Sequence, residues 1–395
     1  EMTVEGYPIV LLAQTNDGYA CLCDLLTRAH QASREHPSIS LEDMVGNTDL
    51  ICLSGGRKSV LYRTMRNKKR AVAQRWLIRL AAVFPGKLYV ELVNNISFGD
   101  RDMVNALYRL AKDMELPVVA TNDVRYADPT DYIRYDLLTC IRFGIKIHEP
   151  HAERPTNAEA YIKSEAQLFR LMPYREAFDN SIRIAESCNV ELVPEFITPP
   201  AAILPEGMSP RAYLNKLCCD ALLKMYPEPQ QDRAVAQYNK EFGVITSLHL
   251  EEFFLVVREV VVEARGRGIR CSGRGSAANS IIAFLLGITG VDPIAHNLLF
   301  ERFLHSGRKG TPDIDIDFDS ERRDEVIEWV ENRFGIEHTA MTATVVTYRL
   351  RMAIKDVAKT LGWPLDVVDK LTRAIPGRSA STVRTYREHL VRILG

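Results

Sequence analysis

Acidic and apolar residues alternate strictly from Asp313 to Asp319. A period of two is typical of a β-strand, and it places Asp313, Asp315 and Asp317 on one face with apolar side chains on the other. Neighbouring carboxylates on that face would lie about 6.6 Å apart along the strand. Such carboxylates can converge on two cations about 3.5–4 Å apart, the arrangement that promotes phosphoryl transfer. Because all of these ligands are oxygens, the pattern predicts a Mg²⁺ or Mn²⁺ site.

An acidic run of this kind is also typical of two other structures. A calcium loop is excluded, because its sixth position would be Phe318 instead of glycine and its twelfth Asp324 instead of glutamate. A solvent-facing edge strand stays open. Like charges at this spacing repel one another, so a cation or a basic partner is expected. The residues alone do not distinguish the pair Asp313/Asp315 from the pair Asp315/Asp317.

A glycine-rich segment, Gly-Arg-Gly-Ser-Ala-Ala-Asn-Ser at 273–280, precedes an apolar helix predicted at 281–286. Glycines let the backbone turn sharply and approach a ligand, and the N-terminus of the following helix would offer N–H groups to a phosphate. Arg274 would add a charge and Ser276 a hydroxyl. The segment matches neither a Walker loop nor a dinucleotide fingerprint. A phosphate-binding turn and a plain strand–turn–helix joint therefore both stay open.

The first half of the chain must position other candidate groups, and there short apolar strands alternate with amphipathic helices. The candidate strands are 9–13, 50–54, 88–93 and 118–121. This alternation predicts a parallel sheet or a barrel. The strand ends carry Glu91, Asn95 and Asp123, without a histidine cluster. Five prolines within 194–210 mark a domain boundary, and helices are predicted after it, at 211–225, 230–246 and 251–265.

Composition narrows the class of protein. The chain has 395 residues, of which 46% are hydrophobic and 26% charged, which excludes a disordered or collagen-like protein. We expect a soluble, cytoplasmic protein, because the sequence shows neither a membrane span nor a cationic leader. The eight scattered cysteines have no zinc-finger spacing and are expected to be reduced.

The net charge of −1 hides an uneven distribution, with +6 in residues 341–395 and −7 in the rest. Arg351, Lys355 and Lys359 follow one another at a spacing of four residues, so they form a stripe on one face of a predicted helix. Arg349 precedes this stripe. A nucleic-acid contact and a solvated helix face both fit the stripe.

Four motifs follow one another in an order that closely resembles the bacterial C-family DNA polymerases, which are the alpha subunit of DNA polymerase III and its error-prone relatives. The motifs are 273–280, Leu-Leu-Gly-Ile-Thr-Gly-Val-Asp-Pro at 285–293, Leu-Leu-Phe-Glu-Arg-Phe-Leu at 298–304 and Pro-Asp-Ile-Asp-Ile-Asp-Phe at 312–318. The first half resembles the PHP domain of this family through 11–26, 50–56 and 116–126. The resemblance covers nearly the whole chain and leans toward the error-prone branch.

The resemblance implies an α/β multidomain fold. An incomplete PHP-type β/α barrel (1–195) would precede the first part of a polymerase-beta-like nucleotidyltransferase palm (196–345), which is α+β, and the start of a helical thumb (346–395). The implied function is template-directed addition of deoxynucleotides to a primer 3′-hydroxyl by two-metal-ion phosphoryl transfer, in bacterial replication or translesion synthesis. The alternatives are a PHP-type metal phosphoesterase or 3′–5′ exonuclease, and a catalytically silent DNA-binding scaffold.

The resemblance also assigns roles at matching positions. Two carboxylates would hold the two Mg²⁺ ions, or Mn²⁺: Asp315 and Asp317. Four residues would bind the deoxynucleoside triphosphate, as direct contacts or charge partners: Arg274, Gly275, Ser276 and Arg302. Four cations would face the phosphates of the primer–template DNA: Arg349, Arg351, Lys355 and Lys359. Asp313 would be structural.

Two departures from the family pattern limit these assignments. The family has a third catalytic carboxylate on a later palm strand. This carboxylate has no counterpart in the sequence up to Gly395. We therefore expect the chain by itself not to polymerise. The sliding clamp and other replisome subunits would bind through C-terminal regions missing here. The opening histidine motif of the PHP domain is absent, and Asn95 and Arg125 stand where metal-binding members carry histidine. Since only Asp123 matches, no catalytic metal cluster is expected in the PHP part.

Overall fold

The structure is a computed structural model, and it describes residues 1–46, 49–192, 200–305, 312–336 and 338–374. The chain forms two compact units. The N-terminal unit contains Glu1–Leu192 together with the chain from Val346 onward, and the central unit contains Val193–Val345. Among the helices of the described residues, none has the length and apolar character needed to cross a membrane.

The N-terminal unit is built on a five-stranded sheet with the order β1-β2-β3-β4-β5. Its strands are β1 (Met2–Val4), β2 (Tyr7–Ala13), β3 (Leu50–Leu53), β4 (Leu88–Val93) and β5 (Val118–Thr121). The four strands expected from the sequence are thereby confirmed. The expectation of an all-parallel sheet is wrong, because β1–β2 and β2–β3 are antiparallel pairs and only β3–β4 and β4–β5 are parallel.

The described strands of this sheet form an open layer, since β1 and β5 are its two edges and do not pair with each other. These described strands therefore do not close into a barrel, and the incomplete PHP-type barrel implied by the resemblance stays a prediction. Alternating apolar residues identify a strand but carry no information on its direction or on the closure of the sheet, because both depend on partners distant in the chain.

The N-terminal unit also contains helices, and most of them contribute apolar side chains to the core formed with the sheet. They are α1 (Asn16–Ala32), α2 (Val60–Arg66), α3 (Arg70–Val83), α4 (Asp100–Asp113), α5 (Tyr132–Phe143), α6 (Glu165–Leu171) and α7 (Arg175–Ser187). In α4 the residues at helical spacing, Val104, Leu107, Leu110 and Ala111, are all buried in that core, as their periodicity predicts.

Among the described residues, the central unit contains three long helices, two shorter helices and a two-stranded sheet. The elements are α8 (Pro210–Met225), α9 (Gln231–Ser247), α10 (Glu251–Gly266), β6 (Cys271–Arg274), α11 (Ile281–Leu285), β7 (Asp315–Phe318) and α12 (Arg323–Phe334). The three helices predicted from the sequence are confirmed within one residue at each end. The start of α8 follows from Ser209, whose side chain accepts the N–H of Ala212 at 3.2 Å, and from Pro210 at the first helical position.

Two further described helices, α13 (Leu350–Thr360) and α14 (Leu365–Ala374), belong to the N-terminal unit. Helix α13 contacts both α14 and α5. The N–H of Ile147, just after α5, donates to the carbonyl of Thr360 at 3.0 Å. The segment that the resemblance assigns to the thumb therefore packs on helix α5 in this unit.

Asp100, at the start of α4, carries a buried carboxylate that organises the preceding loop. It is 1% exposed, accepts the N–H groups of Asn95 at 3.0 Å and Ser97 at 3.1 Å, and pairs with Arg57. We expect Asp100→Ala to lower the free energy of unfolding of this unit by about 2–4 kcal/mol, because it leaves buried donors and a half-buried cation without their partner. Urea denaturation followed by circular dichroism measures the loss.

The matched control is Asp102→Ala, which removes an exposed carboxylate from the same helix turn. Its loss should stay below about 1 kcal/mol, the contribution of an exposed charge near a helix N-terminus. Equal losses in the two variants would show that burial of Asp100 has no special weight.

Candidate active site

The pairing of β6 with β7 brings the two sequence motifs together. The strands are antiparallel, with Ser272 opposite Asp317 and Arg274 opposite Asp315. Opposite residues of an antiparallel pair share a face, and all four of these side chains are exposed. On the other face Phe318 is half-buried in a small apolar cluster. The structure therefore confirms the predicted alternation from 315 to 318.

Asp313 lies outside the strand, because β7 begins at Asp315. The predicted strand is thus two residues too long at its start. Asp313 is exposed, but the sheet does not hold it beside the other two acids. This separation favours Asp315 and Asp317 as the pair that acts together, a choice that the residue pattern had left open.

Arg274 is the basic partner that the acidic strand required. Its Nε lies 3.1 Å from Oδ1 of Asp317, and the two side chains are 65% and 64% exposed. An ion pair this exposed contributes little free energy. Arg274 can therefore leave Asp317 when another cation or an anionic ligand arrives.

Two glycines shape the turn that follows β6, each for its own reason. Gly275 has φ +64°, a left-handed conformation, and a Cβ atom there would lie 3.5 Å from Oδ2 of Asp315. Gly273 donates its N–H to the carbonyl of Ile288 at 2.7 Å, and a Cβ atom would approach that oxygen to 3.0 Å. The backbone of the turn therefore runs beside the carboxylate of Asp315, and Gly273 packs against the chain after α11.

The turn itself is a 3₁₀ helix, Gly275–Asn279, that contains Ser276. The first N–H groups of a helical turn have no acceptor within it, so this turn can offer donors to an anion. A second short 3₁₀ helix, Phe300–Arg302, contacts it. Arg302 is exposed on that helix. Residues 306–311, between Arg302 and β7, lie outside the described part of the chain.

The N-terminus of α11 differs from the prediction that it offers free N–H groups to a phosphate. The N–H groups of Ile281 and Ile282 donate to the carboxylate of Glu241 at 3.1 and 3.3 Å, and that of Ala283 donates to Oγ of Ser280 at 3.1 Å. The prediction is wrong because a buried acid from α9 already occupies this position. The first N–H groups of α11 are therefore not available to a phosphate.

Glu241 was missed by sequence reasoning because it belongs to no motif. The one sequence feature that points to it is a charged residue on the apolar face of α9, where Tyr238 and Ile245 are buried before and after it. The side chain is fully buried, and burial raises the pKa of its carboxyl, while hydrogen bonds from Gln237, Ser280 and the two N–H groups lower that pKa in part.

The basic stripe lies on α13 in the N-terminal unit. The four predicted cations are all exposed and lie on this helix or directly before it: Arg349, Arg351, Lys355 and Lys359. Leu350 and Thr360 are buried on the other side of α13. The predicted stripe is therefore confirmed as an exposed row of positive charge.

The other candidate groups surround a cavity of about 130 Å³ in the same unit, lined in part by Glu91, Asp123 and Arg125. Nη2 of Arg125 lies 2.7 Å from Oδ1 of Asp123. Burial raises the pKa of Glu91, against the effect of a hydrogen bond from Thr121 at 2.5 Å. Asn95 is buried outside this lining. Across the described ranges, no group of three or more His, Cys, Asp or Glu side chains could hold a metal ion.

Comparison with known proteins agrees with the order of these features. Residues 212–393 match the family model of the bacterial DNA polymerase III alpha NTPase domain, and residues 1–95 match that of the PHP domain. Three similar proteins are each named error-prone DNA polymerase. They come from Symbiobacterium thermophilum (38% identical, 95% of this chain, 36% of the relative), Methylococcus capsulatus (34%, 94% and 34%) and Pseudomonas aeruginosa (35%, 93% and 34%).

The chain spans about a third of the length of these curated relatives. Within that third it carries both family domains in sequence order, and the glycine turn and the acidic strand lie side by side in the second. The chain is therefore similar over most of its length to proteins named error-prone DNA polymerase, and it matches the models of the PHP domain and of the bacterial DNA polymerase III alpha NTPase domain.

Proposed function

We propose that this chain is the PHP domain (1–195), the first part of the palm (196–345) and the start of the thumb (346–395) of a DNA-directed DNA polymerase. The reaction would add deoxynucleotides to a primer 3′-hydroxyl with release of pyrophosphate. The observation that carries the proposal is the β6–β7 pair, which presents Asp315 and Asp317 on one exposed face beside Arg274 and the glycine turn.

The donors on this face suit a hard divalent cation. Asp315 and Asp317 offer exposed carboxylate oxygens, and the face carries no histidine or cysteine that would favour a softer metal. Two Mg²⁺ ions, or Mn²⁺, would supply charge stabilisation of the phosphoryl transfer and activate the 3′-hydroxyl. Asp315 and Asp317 would hold them.

The other residues of the face would bind the incoming nucleotide. Arg274 would turn from Asp317 to the triphosphate, because its present ion pair is weak. Gly275 and Ser276 would donate backbone N–H groups and a hydroxyl to phosphate oxygens, and Arg302 would balance their charge. Catalysis would thus rest on positioning and charge neutralisation, with no nucleophile from the protein.

The second edge of β7 carries no paired strand in the described residues. A groove of about 580 Å³ beside β7 is lined in part by Ile316, Phe318, Val326 and Val330. In the described residues β6 is the strand that pairs with β7. This geometry supports the proposal that the third carboxylate of the family enters on a later strand, at the second edge of β7.

Substitution of the two strand acids tests the proposal. In a polymerase of the relatives' length that carries this sequence, we expect Asp315→Asn and Asp317→Asn each to lower the rate of primer extension at least about 1000-fold, roughly 4 kcal/mol of barrier, because each removes a metal ligand. Asp313→Asn is the matched control and should stay within about tenfold. Comparable losses at all three positions would contradict the assignment of the pair.

We further propose that the α13 stripe contacts the phosphates of the primer–template duplex. The supporting observations are its exposure and its spacing along one helix face. Phosphate contacts position a duplex without reading its bases. The other explanation of the stripe, a solvated face with no partner, predicts no effect on DNA binding.

The triple variant Arg351→Ala/Lys355→Ala/Lys359→Ala separates these explanations. We expect weaker binding of duplexes of any sequence, and a plot of log affinity against log salt whose slope falls by about 0.9 for each lost contact. The control removes three exposed cations from α2, α3 and their junction, with Arg66→Ala/Lys69→Ala/Arg75→Ala. Identical slopes for the wild type and the α13 variant would leave the solvated face as the better explanation.

The main alternative, a PHP-type metal phosphoesterase, is disfavoured by the Arg125–Asp123 ion pair. The guanidinium of Arg125 forms an ion pair with the carboxylate of Asp123, the group that would bind a metal ion. The positive charge of Arg125 would also repel that ion. We therefore expect metal analysis of the dialysed chain to find less than about one tightly bound zinc or manganese ion per ten molecules. A stoichiometric metal that is lost in Asp123→Ala would restore the phosphoesterase as a candidate.

A further inference from the structure

Glu241 is a buried acid outside every motif, and it holds the chain directly after the glycine turn. Oε2 accepts the hydroxyl of Ser280 at 2.7 Å, and the carboxylate also accepts the N–H groups of Ile281 and Ile282. The amide of Gln237 completes the set at 2.8 Å. With four donors and no exposure to solvent, this carboxylate has one fixed position.

The constraint passes from Glu241 to the turn through short contacts. Ser280 is fully buried, and its N–H donates to the carbonyl of Ala277 at 3.2 Å. The side-chain amide of Asn279 donates to the carbonyl of Ser276 at 2.9 Å. The C-terminal end of the turn is thus attached to Glu241.

The other end of the turn is attached to the same short helix. The N–H of Ile288 donates to the carbonyl of Ala283 in α11 at 2.8 Å, and the carbonyl of Ile288 accepts the N–H of Gly273 at 2.7 Å. Between these two attachments, Gly275 lies against Asp315. A shift at the N-terminus of α11 would therefore move the backbone that faces the strand acids.

We propose that Glu241 is a positioning residue for nucleotide binding, which fixes the N–H donors of the turn 275–279 beside Asp315 and Asp317. This inference rests on the proposed polymerase function. Glu241 does not touch the nucleotide; it acts through Ser280 and the start of α11. Its charge also fills the helix N-terminus, which leaves the turn as the place for the triphosphate.

Calorimetric titration of the chain with dATP and Mg²⁺ tests the proposal, because it reports affinity and stoichiometry separately. We expect Glu241→Gln to weaken the affinity at least about tenfold while one site per chain is retained, since the new amide presents donors to donors. Hydrogen exchange should quicken at least about tenfold at residues 280–283. A purely structural role would instead lower the stoichiometry at unchanged affinity, and that result would overturn the proposal.

The matched control is Tyr238→Phe, which removes a partly buried hydrogen bond from the same helix to Asn215 without touching the turn. It should keep both the affinity and the exchange rates of 280–283. If Glu241→Gln fails to fold, Ser280→Ala removes one contact with the carboxylate and should still weaken the affinity several-fold. An affinity within twofold of the wild type in either folded variant would overturn the proposal.

The failure of this inference differs from a failure of the proposed function. A wild-type chain that binds no dATP with Mg²⁺ would contradict the nucleotide site itself, and with it any role of Glu241 in nucleotide affinity. A wild-type chain that binds, together with a Glu241→Gln chain that binds equally well, would contradict only the positioning role.

Discussion

A ladder of four residue pairs joins β6 to β7, and the whole candidate site depends on it. The ladder places Arg274 and the glycine turn beside Asp315 and Asp317, which lie about forty residues further along the chain. Burial of the opposite face sets its register, because Cys271 and Phe318 pack against Ile269 and Val326. A slip of one residue would turn both acids toward that apolar cluster. The same packing that stabilises the sheet therefore determines which side chains can meet a metal ion.

The central unit separates two kinds of carboxylate by burial. Glu241 has no exposure and four hydrogen-bond donors, so its capacity to accept is used within the protein. Asp315 and Asp317 are exposed on the sheet. In the described residues, the one ion pair found for these two acids is the weak pair between Asp317 and Arg274. Unused carboxylate oxygens bind hard cations best when the surrounding backbone is rigid. The buried acid and the exposed acids thus lie on either side of one turn, and the exposed pair leaves its oxygens available to a ligand.

An arginine also pairs with an aspartate in the N-terminal unit, but in a more enclosed setting. Arg125 and Asp123 are 37% and 39% exposed, compared with 65% and 64% for Arg274 and Asp317. Less contact with water strengthens an ion pair and makes exchange of its partners harder. The difference fits a structural charge pair beside the sheet of the N-terminal unit and an exchangeable one at the proposed polymerase site.

The sequence by itself determined the features that depend on neighbours along the chain. The alternation at 315–318 fixed a strand face, the four-residue spacing at 351–359 fixed a helix face, and the helices after the proline-rich segment followed from their local pattern. Only the tertiary structure decided the antiparallel start of the first sheet, the separation of Asp313 from the strand acids, and the occupation of the α11 N-terminus by Glu241. These features join residues far apart in sequence, and their free energy comes from burial and pairing in three dimensions, which no local periodicity encodes.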